Sequence, residues 1–94
     1  MQETYTETVY RFVVEYHEEL PESHKAEYRI NGIDPDDLWN LQWSFKELED
    51  AQKQADEEIL RHAIFCVDYG YNVRKTWRVR DLGATQYIQR SVMF

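Results

Sequence analysis

The sequence predicts an α+β domain, a two-layer ββαββ arrangement with one main helix packed on one face of an antiparallel sheet. Three stretches predict it. Residues 5–16 alternate with period two. Residues 45–69 carry apolar side chains at three- and four-residue spacing. Residues 72–93 return to strand formers around a turn. One helix laid across one sheet is the simplest two-layer solution for that order. At 94 residues the chain is sized for a single domain.

Each element follows from local chemistry. In YTETVYRFVVEY, Tyr10, Phe12, Val14 and Tyr16 share one face, and Tyr5, Val9 and Val13 share the other. Such alternation marks a half-buried strand. Residues 17–25 are polar with a proline and read as a loop. Residues 26–33 read as a second strand, with Ala26, Tyr28 and Ile30 on one side. Asp34, Pro35, Asp36 and Asp37 then form a helix start, and a short extra helix is expected near residues 35–41. Ser44 and Glu47 have capping-box spacing, with Trp43 and Leu48 at the staple positions. The main helix is expected from Phe45 to a point between His62 and Tyr69, with Gly70 as terminator. Leu48, Ala51, Ala55, Ile59 and Ala63 form its expected buried stripe. A closing hairpin pairs residues 72–81 with 86–93 through a loop at 82–85, and Ile88, Val92 and Phe94 line one face with Arg90. The sheet face away from the helix is expected to stay open, with Tyr5, Val9, Val13, Tyr87 and the arginine row upon it. Such a face suits a homodimer interface.

Charge divides the chain. The net charge is −7, but residues 1–60 hold 16 acidic and 5 basic side chains while residues 61–94 hold 2 and 6. Such asymmetry speaks of partners and fields. The single cysteine excludes an internal disulfide. No apolar run reaches the length of a membrane span. The first ten residues have no secretory character, so the expected compartment is the cytoplasm.

No motif for catalysis, metal or cofactor is legible. His62 and Cys66 stand one helical turn apart, but no second pair completes a zinc site. The Asp34–Asp37 cluster lacks calcium-loop spacing. Ser44 is accounted for as a cap, and Glu57 and Glu58 diverge on a helix. The expectation is a non-enzymatic protein with no metal and no cofactor. Its expected contact surface is acidic and aromatic: Glu15, Glu18, Glu19 and Glu22, then Asp36, Asp37 and Trp39, with Glu49 and Asp50 on the helix. Carboxylates in this density suit a basic partner, one whose Arg and Lys otherwise meet phosphate. The alternative surface is the row Arg74, Arg78, Arg80 and Arg90 with Trp77 and Tyr87, which has the composition of a nucleic-acid face. A third reading is a homodimeric structural or assembly component.

In size, acidity and helix-on-sheet organisation the chain resembles small phage-encoded anti-defence proteins, the anti-CRISPR and anti-restriction inhibitors. The resemblance rests on overall character, so no site residue is carried over from it. It implies a stoichiometric inhibitor acting in the host cytoplasm, which binds a nucleic-acid-handling defence complex.

Overall fold

The computed structural model describes residues 2–93 and shows an α+β fold. In chain order the elements are β1 (Gln2–Val9), β2 (Phe12–Glu18), α1 (Glu22–Ile30), a 3-10 turn (Pro35–Asp37), β3 (Asn40–Phe45), α2 (Leu48–Tyr69), β4 (Lys75–Asp81) and β5 (Gln86–Met93). The strands form two antiparallel sheets rather than one. Three strands run in the order β3-β2-β4, and β1 pairs with β5 alone.

Both sheets grow from one bent ribbon. Residues 2–18 run against residues 75–93 along its whole length, interrupted once. Phe12 faces Asp81 and Val9 faces Gln86, so the second strand spends two more residues than the first across the break. The extra residues make a kink at Leu82–Thr85. Arg11 reaches Asp81 through two hydrogen bonds of 2.8 and 2.9 Å. The Asp81 carboxylate also accepts the Gly83 N–H at 2.7 Å, and Gly83 takes a φ of 84° there. The expected closing hairpin is therefore absent. Its two arms are consecutive strands that pair with β2 and β1 instead. The kink residues have the composition of a hairpin turn, which is why local chemistry suggested one.

Two further segments differ from expectation. Residues 26–33 are not a strand, and the loop expected at 17–25 is largely taken up by its neighbours: β2 continues to Glu18 and α1 begins at Glu22. The end of α1 is a Schellman motif, with Gly32 N–H on the Arg29 carbonyl and Ile33 N–H on the Tyr28 carbonyl, and Gly32 at φ 76°. That glycine and Pro21 bracket a helix, and they outweigh a three-residue alternation. Likewise the helix expected over 35–41 stops after one turn, because residues 40–45 enter the sheet as β3. Ser44 lies in that strand and its Oγ accepts the Tyr10 N–H at 3.1 Å, so it does not cap α2. Glu47 holds the cap position with no side-chain hydrogen bond, and α2 begins at Leu48 rather than Phe45. Its far end is as expected: Gly70 is left-handed at φ 63°.

The core lies between α2 and one face of the three-stranded sheet. Val14, Ala51 and Ala55 are buried there, with Phe12, Phe45, Trp77 and Val79 packed around them. Alanine at the contact lets the helix axis approach the strands closely. The buried helix stripe is not the one expected. Ala51 and Ala55 hold, but Leu48, Ile59 and Ala63 are exposed, while Glu58 is buried and His62 half-buried. Nor is the opposite sheet face open. Val13 is fully buried, and the segment after α1 lies against it: Trp39 packs on His17 and Arg78. Val9 is buried at the ribbon base, and Tyr5 and Tyr87 occupy opposite faces of the β1–β5 ribbon. Val92 and Arg90 remain on the ribbon; Phe94 lies outside the described residues.

Candidate functional site

The central strand positions the first charged cluster. Glu15 lies on β2 between its two neighbours and is only 4% exposed. Its cross-strand partner on β4 is Arg78, with Arg80 two residues on. Arg80 grips the carboxylate through Nε and Nη2, both at 2.9 Å, and Arg78 Nε reaches it at 3.1 Å. The hydrogen bond from Arg80, joined by that from Arg78, holds the Glu15 carboxyl below its usual range against the opposing effect of burial. The guanidinium of Arg78 also lies 4.0 Å over the Trp39 ring. Arg90 pairs with Glu7 at 2.8 Å on the ribbon. Three arginines of the expected basic row are thus engaged within the fold, Arg78 and Arg80 sharing one carboxylate and Arg90 holding its own. Arg74 stands apart, exposed, without an ion pair among the described residues.

A second cluster surrounds Lys25 on α1. Its ammonium is buried and touches Glu19 at 2.6 Å, Asp36 at 3.1 Å and Glu22 at 3.8 Å. These contacts tie the end of β2, α1 and the 3-10 turn together. The Lys25 hydrogen bonds hold Glu19 and Asp36 below the usual carboxylate range. Of the carboxylates expected to face a partner, Glu15 is therefore internal, and Glu19, Glu22 and Asp36 are engaged by Lys25. Glu18 accepts the Tyr71 hydroxyl at 3.3 Å. Asp37, Glu49 and Asp50 are exposed with no counter-ion among the described residues. Glu47, Asp56 and Glu57 extend this acidic surface along the first half of α2.

Between α2 and the sheet opens a cleft of about 440 Å³. Tyr16 and Trp77 form its floor, Phe65 and Tyr71 one wall, and Glu58 and His62 project from the helix. The Glu58 carboxylate is bound by Arg61 at 2.9 Å and Gln54 at 3.0 Å. His62 donates from Nε2 to the Val73 carbonyl at 3.1 Å, and its ring lies tilted against Trp77 with the centroids 5.4 Å apart. Cys66 Sγ lies 3.4 Å from that same nitrogen, whose proton is already committed to the carbonyl. Among the described residues no three His, Cys, Asp or Glu side chains are grouped as a metal site requires. Reading the sequence alone missed Lys25, Glu58 and this cleft. A signal for Glu58 existed: it falls on the same helical face as Ala51 and Ala55.

No helix of the described residues is long and apolar enough to cross a membrane. No protein-family model, curated protein or solved structure matches the chain.

Proposed function

We propose that the chain is a non-catalytic protein-binding module. Its partner is a basic, nucleic-acid-handling protein complex of the cell in whose cytoplasm it acts. The distribution of ion pairs carries this reading. Arg11, Lys25, Arg29, Arg61, Arg78, Arg80 and Arg90 are each engaged by a carboxylate of the same chain. Lys46, Lys53, Arg74 and Lys75 have no ion pair among the described residues, but of the 18 carboxylates far more than four remain without a cation, so a negative surplus faces water. Asp37 and the outer face of α2 then present a negative surface to a basic groove, where opposite fields accelerate encounter. Inhibition of a defence complex, in the manner of the phage-encoded proteins this chain resembles, is the corresponding role.

The same pairs weigh against the nucleic-acid reading, since Arg78, Arg80 and Arg90 already donate to carboxylates of the chain and only one of their three charges is left uncompensated. The non-catalytic part rests on occupied groups: His62, Glu58 and Ser44 are each spent on structural partners. Capture from a nuclease-treated bacterial lysate tests the reading. A partner held at low salt is expected to be released at high salt. It is also expected to be lost when Asp37, Glu49 and Asp50 are changed together to Lys, a change that leaves the Glu15 and Lys25 clusters intact. A partner indifferent to salt and to that triple change overturns the acidic-surface reading. Oligonucleotide binding abolished by Arg78→Ala with Arg80→Ala moves the function to the β4 face.

A further inference from the structure

We infer that two copies of this chain exchange their β1–β5 ribbons, each ribbon covering the outer stripe of α2 on the other copy. The single chain is too extended for its size. Its accessible surface is 7143 Å², whereas a folded monomer of this mass exposes about 5,800 Å². Its radius of gyration is 16.2 Å, against roughly 12 Å for a compact domain of this length. The excess comes from elements that lack a partner. The ribbon is two strands wide, and only sparse contacts join it to the rest of the molecule. Two strands alone are at best marginally stable in water. One ribbon face carries Tyr5, Ile88 and Val92 around the Glu7–Arg90 pair, with Glu3 opposite Val92 at the tip.

The complementary surface is on α2. Leu60, Ile64 and Val67 recur at helical spacing on the side away from the sheet, 62%, 52% and 83% exposed. Ribbon and stripe lie at opposite ends of the molecule. The start of α2 follows Phe45, which pairs with Phe12 at the ribbon base, and its end leads to Lys75, which pairs with Glu18 at the far end. The ribbon is about 27 Å long and projects away from the body, so it cannot cover its own stripe. A two-fold axis brings each ribbon to the other copy's stripe and closes the assembly.

The occupant is a second copy because of the area and the charge. Twice the excess of the 7143 Å² surface over that of a folded monomer is about 2,700 Å², which falls in the range of obligate homodimers, about 2,000–5,000 Å². The ribbon face is apolar apart from the Glu7–Arg90 pair and the acidic Glu3 at its tip, so it suits another apolar surface and repels a nucleic acid. A chain with so small a core needs its cover wherever it folds, and another copy is always at hand.

Sedimentation of the full chain between about 1 and 100 μM tests this. The expected species has twice the 11.5 kDa chain mass. A monomer throughout, or a species that keeps growing with concentration, overturns closed exchange. Ile64→Glu and Val92→Glu are each expected to weaken the dimer about 10–100-fold. An equimolar mixture of the two variants is expected to form a heterodimer of intermediate affinity, because one ribbon–stripe contact is intact in it. A mixture that stays monomeric, or a single variant that dimerises like the wild type, overturns the ribbon-on-stripe arrangement. If a variant alone loses its fold, circular dichroism reads the mixture instead. Recovery of helical signal supports the exchange, and its absence overturns it.

Discussion

Glu15 is the residue on which the charge balance of the fold turns. A carboxylate on a central strand, removed from water, is costly unless its oxygens are filled, and Arg78 and Arg80 fill them. Glu15→Ala leaves two guanidinium groups facing each other and is expected to lower stability by about 1–3 kcal/mol. Glu49→Ala, on the exposed helix face, is expected to change it by about 0.5 kcal/mol or less. Urea titration of both variants compares them. Acid acts through related groups. The hydrogen bonds from Arg11 and from the Gly83 N–H hold Asp81 down to about 2, below its ordinary value of 3.8. A folded-state value below the unfolded one stabilises the fold above the unfolded value, and that share is lost as pH falls through the folded one. Glu15 is shifted the same way. The melting temperature is therefore expected to fall between roughly pH 4 and pH 2, with a shallower slope in Asp81→Asn.

At the level of elements, chain termination is the most local property and partner choice the least. Both helices end on left-handed glycines, Gly32 and Gly70, and neither has a close neighbour that an added Cβ would meet. Gly70→Ala is thus expected to cost about 1 kcal/mol from backbone strain alone. A thermal melt with a lowered midpoint and unchanged helical content checks it. The strands are different. Residues 40–45 have a capping box at their end, yet they form β3 because β2 offers an edge to pair with. Residues 75–81 and 86–93 flank a turn-like tetrad, yet each pairs with a distant segment. Backbone hydrogen bonds do not read side-chain identity, so the local signal yields to whichever edge the core has already placed.

The whole molecule is defined by what it fails to bury. Among the described residues Val9, Val13, Val14, Ala51 and Ala55 are its buried core, with Pro35 buried under the 3-10 turn, a small core for a chain of this length. If two copies complete it, folding and association are one equilibrium, and the melting temperature is expected to rise with protein concentration by mass action. Scanning calorimetry across a 50-fold concentration range (about 2 to 100 μM) checks this. A midpoint independent of concentration marks a self-sufficient monomer.

Local pattern carried much of the architecture. The α+β class, the extended character of residues 5–16, the long helix with its end at Gly70, and the acidic surplus all follow from side-chain periodicity, glycine placement and charge count, which need no neighbour. The candidate site was less legible. Asp37, Glu49 and Asp50 lie on the surface as their composition suggests, but Glu15 sits among like-looking carboxylates and only its register opposite Arg78 makes it internal. The arginine row reads as a basic face until the fold brings Glu15 and Glu7 against it. Which strands pair, which carboxylates are spent on cations and which apolar stripe is left bare depend on contacts between residues about 24 to 91 positions apart. Those contacts exist only once the chain has closed, because their strength comes from burial and geometry that no isolated segment possesses.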